Sequence, residues 1–322
     1  MDFQLKEEQR ICRNVIHDFV ASEIKPRALE IEESGELPWE VLPQMGEIGM
    51  LGMSVPEAYG GSNLDAICSA IAIEELAWGE GGFALGIEAH NELGCASVAT
   101  YGSEELKRTF LPPVTSGEGK LTALALTEPQ AGSDLSNIRT QARKKDGAWV
   151  INGSKNWITN AGDAAFIVTL VKTDPDRGSR GMSMILVPTD TPGLQIAPPE
   201  KKMGANGSHS HEVHYDDVEV PQEYLLGEEN RGYQQTLHIL DGGRISIGAL
   251  SVGIAQAAYE EAVEYAKSRE TFGKPISQHQ AIQWMLADAA TEIHAARLMI
   301  YHAAWLKDQG QPFTKAGAMA KL

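Results

Sequence analysis

Cysteine is scarce in this 322-residue chain: Cys12, Cys68 and Cys95 are odd in number and show no Cys-x-x-Cys or Cys/His metal spacing. That excludes a disulfide-stapled secreted scaffold and points to reduced, buried thiols in a cytoplasmic protein. Positive charge is short as well, with 27 Lys and Arg against 44 Asp and Glu, a formal net charge of -17. Such a surface repels nucleic acid and anionic membranes, so neither is expected as a partner, and any anionic ligand must be held by local positive groups. No stretch approaches the roughly 18 uncharged apolar residues that a membrane helix needs. Residues 1–10 carry both charge signs without an apolar core, so neither a secretory nor a transit peptide is expected, and a bacterial cytoplasm fits better than a mitochondrial matrix. Internal repeats and low-complexity tracts are missing too.

What is present describes a globular protein: 43% hydrophobic and 22% charged residues, in a chain longer than one ordinary domain. Up to about Ser116 the apolar period is helical. Ile11, Val15 and Phe19, with Ile16, Val20 and Ile24, form one wide stripe that Pro26 should end. Further helices are expected through Trp39 to Ile48, Leu64 to Trp78, Ile87 to Tyr101 and Glu104 to Phe110, with Pro112-Pro113 closing the domain. The period then becomes two, and strands are expected over 121–126, 141–144, 149–151, 166–172, 183–187, 194–197 and 212–220, with Asp146-Gly147 and Asn152-Gly153 as turns. From Arg231 a long helix returns, Phe272 to Pro275 breaks it, a second runs from about His279 to Lys307, and a third starts near Thr314. The expected fold is α+β: an N-terminal helical domain (1–119), a middle β-barrel or sandwich domain (120–228) and a C-terminal helix bundle (229–322).

Two segments carry most of the chemistry. Thr127-Glu-Pro-Gln-Ala-Gly-Ser-Asp134 and Trp157-Ile-Thr-Asn160 bring hydroxyls, turn glycine and an aromatic to neighbouring strands. A flavin needs partners for its pyrimidine carbonyls and N5, an apolar wall, and donors for its diphosphate. Thr127, Ser133 and Thr159 could supply the first and Trp157 the second. Each segment alone has a plainer explanation, in which Ser133-Asp134 caps a turn and Trp157 is ordinary core. His209, His211 and His214, with Glu212, invite a metal reading, but strand alternation sends His214 to the opposite face, and no metal site is expected.

Together the segments resemble the acyl-CoA dehydrogenase family, in a short-chain and medium-chain-like branch. Val55-Pro-Glu-x-Tyr-Gly-Gly61, Leu126 to Asp134, Trp157 to Asn160, Lys202-Met-Gly204, Val220-Pro221 and Arg269-x-Thr-Phe-Gly-Lys274 occur in the family's order along the whole chain. The resemblance implies FAD as cofactor, with Leu124, Leu126, Thr127, Gly132, Ser133, Trp157, Ile158 and Thr159 around the flavin ring. It also implies that Arg269, Thr271, Phe272, His279 and Gln280 hold the diphosphate and adenine side, often across a subunit interface. An arginine suits that role, because a planar guanidinium engages two phosphate oxygens at once. Ser133, Asp241, Gly242, Gly243 and Arg244 correspond to the substrate side. The two glycines each weaken a helix by roughly 1 kcal/mol relative to Ala, so the space they leave should serve the thioester and its pantetheine arm, or else a helix contact. Glu88, His90, Asn91 and Glu92 match a helix that borders the acyl tail in the family, with surface solvation the equal or better explanation.

The implied reaction is α,β-dehydrogenation of an acyl-CoA to its trans-2-enoyl-CoA, with flavin expected between the middle domain and the C-terminal bundle. A carboxylate takes the α-proton, and hydrogen bonds to the thioester carbonyl stabilise the enolate. Some family members carry that glutamate where this chain has Gly243; in the branch resembled here it is expected beyond Leu322, the chain looking incomplete at its C-terminus. An electron-transfer flavoprotein is the expected acceptor, and a homo-oligomer, a dimer of dimers, the expected assembly. The alternatives are an acyl-CoA oxidase and a non-catalytic acyl-CoA or flavin-binding protein.

Overall fold

The computed structural model describes residues 4–322. The chain parts into two compact units, one of residues 1–29, 65–84 and 244–322, the other of residues 30–64 and 85–243.

The first unit is helical. Its helices include Glu7–Phe19, Ala66–Gly79, Gln280–Asp308 and Thr314–Lys321, joined by the part of helix Gly232–Ser268 that follows residue 243. Asp65 starts the second of these by accepting the Cys68 amide proton at 2.6 Å, satisfying an amide that has no partner within the helix. Ala66, Ala70, Ile245, Ala249, Val252, Ile293 and Ile300 form the apolar centre. Two helices approach so closely that a Cβ on Gly253 would lie 2.1 Å from the Glu74 carbonyl oxygen. The stripe expected to end at Pro26 instead runs through a π turn, Val20–Ile24, and a 3-10 turn, Lys25–Arg27. Pro26 sits at the start of that tight turn, where its missing amide proton would have no helical partner anyway.

The second unit holds an eight-stranded sheet: β1 (Leu121–Ala125), β2 (Gln141–Lys145), β3 (Ala148–Thr159), β4 (Ala164–Lys172), β5 (Met182–Pro188), β6 (Leu194–Ile196), β7 (Ser210–Pro221) and β8 (Leu225–Leu226). Its order is β6-β7-β3-β2-β4-β5-β8, with β1 parallel to β4. β2 meets β4 at the single pair Gln141↔Lys172, so the sheet is two halves hinged at one corner. Ala123, Ile167, Ile185 and Val187 from one half share a core with Ala142, Ile151, Val213 and Tyr215 from the other, a sandwich-like arrangement where the expectation is a β-barrel or sandwich. The opposite face of β4 and β5, through Val168, Leu170, Met184 and Leu186, packs on Cys95, Val98, Leu106 and Leu111 from helical segments.

Two punctuation signals act differently from expectation. Asn152-Gly153 is not a hairpin turn but a bulge inside β3, where pairing with β7 slips between Ile151 and Gly153 and Gly153 takes φ +144°. A dipeptide that tolerates positive φ serves either purpose. Pro112 and Pro113 lie inside helix Glu104–Thr115 rather than after it. They fall in its last turn, where each removes only the bond its own amide would make to residue i−4 and the preceding turns stay intact.

Candidate functional site

The Thr127 and Trp157 segments meet. The Asn156 amide donates to the Thr127 carbonyl at 2.8 Å, so the loop after β1 lies along the end of β3. Beneath that contact is a buried ion pair, Lys155 Nζ to Glu128 Oε1 at 2.9 Å. Lys155 also donates to the Leu126 carbonyl at 3.0 Å. Glu128 accepts from the amides of Arg139 and Thr140 at 2.6 and 3.0 Å and from the Gln130 side chain at 2.7 Å. Burial alone would raise the Glu128 pKa, yet the Lys155 ammonium and these donors hold it well below the usual carboxylate range. The pair therefore fixes Leu126 and Thr127 against β3, and nothing in the sequence singles it out.

Above it, Trp157 stands 55% exposed with φ +60°. A register slip between Lys155 and Ile158 turns it out of the sheet. The Asn156 side chain holds it there by accepting the Trp157 amide proton at 2.8 Å. A bulky residue in left-handed backbone costs on the order of 1 kcal/mol or more, and such strain collects where function requires it. The core explanation for Trp157 is thereby overturned. Ile158 is buried, Thr159 and Thr127 are half-buried, Gly132 and Ser133 are exposed, and Leu124 lies in the core. A Cβ on Gly132 would meet nothing within 4 Å, so the loop faces open space. Asn160, fully buried with φ +63°, donates to the Gly86 carbonyl at 2.7 Å and closes the segment.

The other expected cofactor residues gather in the helical unit. Glu270–Thr271 and Lys274–Pro275 form a two-stranded hairpin whose turn residues Phe272 and Gly273 have φ +51° and +76°, the arrangement a tight hairpin needs. Thr271 Oγ1 lies 3.0 Å from His279 Nε2, and the Phe272 and His279 rings meet edge to face. Phe272 is 97% exposed, and Arg269 and Gln280 are exposed beside it. The hairpin thus presents a cation, an aromatic face and polar groups outward.

Asp241 and Arg244 are half-buried, and Gly242 and Gly243 buried, in helix Gly232–Ser268. A Cβ on Gly243 would lie 3.5 Å from Glu88 Oε1 and from Leu93 Cδ2. Glu88 was open to a solvated reading, and the structure corrects it: Glu88, His90, Asn91 and Glu92 are all buried. They belong to a helical run that widens into a π turn over Ala89–Cys95, a device frequent at functional sites. Asn91 holds it, accepting from the amides of Gly52 and Met53 and donating to the carbonyls of Met50 and Ile87. Glu88 Oε1 has no hydrogen-bond partner among the described residues. Burial, with the nearby Glu92, pushes its carboxyl well above the ordinary range. Burial keeps His90 neutral, its pKa pulled down to about 3.

Each unit by itself carries features that fit the expected FAD: in one an exposed, strained Trp157 beside half-open hydroxyls, in the other an outward hairpin carrying Arg269 and Phe272. Comparisons with known proteins agree. Family models for the acyl-CoA dehydrogenase N-terminal, middle and C-terminal domains match residues 6–118, 123–218 and 230–322. A probable acyl-CoA dehydrogenase YngJ of Bacillus subtilis is 46% identical over all of this chain and 85% of its own length. The solved butyryl-CoA dehydrogenase from Megasphaera elsdenii superposes with a TM-score of 0.95 at 38% identity, over 99% of this chain and 84% of that one. A chain from a structure of the electron transferring flavoprotein of Acidaminococcus fermentans, solved toward a mechanism of flavin-based electron bifurcation, gives 0.96 at 39% identity, over 99% of this chain and 84% of that one. Among the described residues, no helix is long and apolar enough to cross a membrane. The chain belongs to the acyl-CoA dehydrogenase family of FAD-dependent oxidoreductases.

Proposed function

We propose that this protein removes hydrogen from Cα and Cβ of short acyl-CoA thioesters and hands the electrons to an electron-transfer flavoprotein. The short-chain assignment rests on likeness to the butyryl-CoA dehydrogenase, and the acceptor on the Acidaminococcus match. The observation that carries the reading is Trp157, an exposed aromatic in left-handed backbone pinned beside Thr127. When bound, FAD supplies the acceptor for the β-hydrogen.

The chain's own residues do the rest. Leu126, Thr127, Gly132, Ser133, Trp157 and Thr159 would line the flavin ring, with Leu124 and Ile158 supporting them from the core; Thr127 and Thr159 would offer it hydrogen bonds and Trp157 an apolar wall. Arg269, Thr271, Phe272, His279 and Gln280 would hold the diphosphate and adenine side, Arg269 supplying a guanidinium able to pair with phosphate. Ser133, Asp241, Gly242, Gly243 and Arg244 receive the CoA ester. Gly243 has no side chain and contributes no base. Glu88, protonated by its surroundings, keeps charge out of the space beside Gly243 and so favours an uncharged acyl chain. A hairpin exposing Phe272 this fully is suited to a second copy of the chain, and we assign a homo-oligomer, a dimer of dimers.

The test is anaerobic titration of the FAD-loaded protein with butyryl-CoA and palmitoyl-CoA, followed by flavin absorbance. Butyryl-CoA should perturb or bleach the visible bands at lower concentration than palmitoyl-CoA, and reoxidation should be faster with an electron-transfer flavoprotein than with oxygen. A spectrum indifferent to every acyl-CoA ends the proposal, and stoichiometric hydrogen peroxide in air reassigns the acceptor.

A further inference from the structure

Next to the Trp157–Asn160 turn, three side chains far apart in sequence converge. Asp163 ends the 3-10 turn Ala161–Asp163, and His209 and His211 flank Ser210, the first residue of β7. Their ligand-capable atoms lie within 4.8 Å of one another. His209 Nδ1 is 2.7 Å from Asp163 Oδ2, and its Nε2 donates to the Gly35 carbonyl at 2.6 Å. His211, 4% exposed, donates Nδ1–H to the Ala197 carbonyl at 2.8 Å. That bond fixes the tautomer and leaves a lone pair on Nε2. This atom is buried and has no hydrogen-bond partner among the described residues. A Cβ on Gly162 would fall 2.9 Å from it, so Nε2 lies against the backbone adjoining Asp163.

We propose that Asp163, His209 Nδ1 and His211 Nε2 bind one divalent transition-metal ion, with Zn2+ the species best matched to two imidazoles and a carboxylate. The ion replaces the proton between His209 and Asp163, which leaves to solvent, and their 2.7 Å contact opens to about 3.4 Å around a tetrahedral centre. Water completes the coordination. Both imidazoles already have their second nitrogen on a backbone carbonyl, Gly35 for His209 and Ala197 for His211, the outer-shell arrangement that orients metal-bound histidines. Magnesium and calcium, which take oxygen ligands, do not suit this donor set. His214, on the far face of β7 and 3.5 Å from Glu212, takes no part. Alternation along β7 correctly separates His214 from the other two histidines; the third ligand comes from Asp163, 46 residues before His209. Because Thr159 pairs with Ser210 and Ile158 with His211, the ion would clamp the end of β3 onto β7 beside the proposed flavin contacts.

The proposal is tested on the full chain, stripped of metal, by titrating Zn2+ against a chromophoric chelator and recording Co2+ visible absorption. One ion per chain is expected, with the intense Co2+ bands of a four-coordinate site. Asp163→Asn and His211→Ala should each weaken binding by at least about 100-fold, and His214→Ala should leave it unchanged. Zn2+ should raise the melting temperature of the parent protein and not that of Asp163→Asn, whose circular dichroism without metal reports that it is folded. No binding by the parent protein, or equal binding by parent and Asp163→Asn through surface carboxylates, overturns the site.

Discussion

Glu128 and Glu88 lie in the same unit, both withdrawn from water, and they differ in company. Glu128 has an ammonium and several amide donors around it and stays ionised. Glu88 is buried with Glu92 nearby and has an oxygen that bonds to nothing among the described residues, and its carboxyl is pushed well above the ordinary range. The first behaves as a fastener for the Thr127 loop. The second is the carboxyl proposed above as an uncharged wall beside Gly243. Burial alone therefore decides neither the charge of a carboxyl nor its use; the neighbours do.

The sharpest way to break the contrast is Lys155→Met. It strands Glu128 without its cation, and removing one partner of a buried ion pair typically destabilises by about 3–5 kcal/mol. Urea unfolding near neutral pH reads the loss, and flavin release should accompany it as Thr127 loosens. A parent-like midpoint would show the fastener to be dispensable.

The pH dependence of the two carboxyls should run in opposite directions. Glu128 has a depressed folded pKa, so its stabilisation is present above the unfolded value and fades as pH falls through the folded one. The gap between the parent protein and Glu128→Gln should thus close as pH drops from 5 toward 2. Glu88 has a raised folded pKa, so its contribution is complete below the unfolded value and disappears as pH rises through the folded one. Glu88→Gln should gain on the parent with rising pH, by at most about 1.4 kcal/mol per unit. Chemical melts between pH 5 and 9 measure it, and parallel curves would show Glu88 to be ordinarily ionised.

Gly243→Ala is subtler. Its new Cβ would make ordinary 3.5 Å contacts with Glu88 and Leu93, and helix propensity favours alanine by about 1 kcal/mol. Stability should rise slightly while KM for butyryl-CoA rises several-fold, whereas a rise in stability with KM unchanged would make this glycine a packing residue. Trp157→Gly should have the smallest effect on folding, within about 1 kcal/mol, because relief of the left-handed backbone offsets the chain's added freedom. It should nonetheless weaken FAD binding, which fluorescence titration reports.

The order of helices, strands and helices is legible because apolar residues recur at the right period over long stretches, as along β4 and Gln280–Asp308. The Thr127 and Trp157 segments are legible as motifs, and their hydrogen bond bears out the pairing. The rest depends on information a local pattern does not hold. Asn152-Gly153 signals positive φ without saying whether it serves a turn or a bulge. For Glu88 to Glu92 the sequence leaves a solvated face and a buried role both open, because a charged letter does not show that every side of its helix is covered. Lys155 with Glu128, and Asp163 with the histidines, are meetings of residues 27 and 46 positions apart, visible only once the sheet has brought their strands together.

The widened turn at Ala89–Cys95 makes the length of this stretch part of its meaning. A π turn carries an extra residue relative to α-helix. Deleting one residue there would restore ordinary winding and leave the flanking turns nearly in phase, so the change would fall on the turn itself. Asn91, inside the turn, could then no longer reach Met50, Gly52 and Met53 together. The residue count here works like the tooth spacing of a gear.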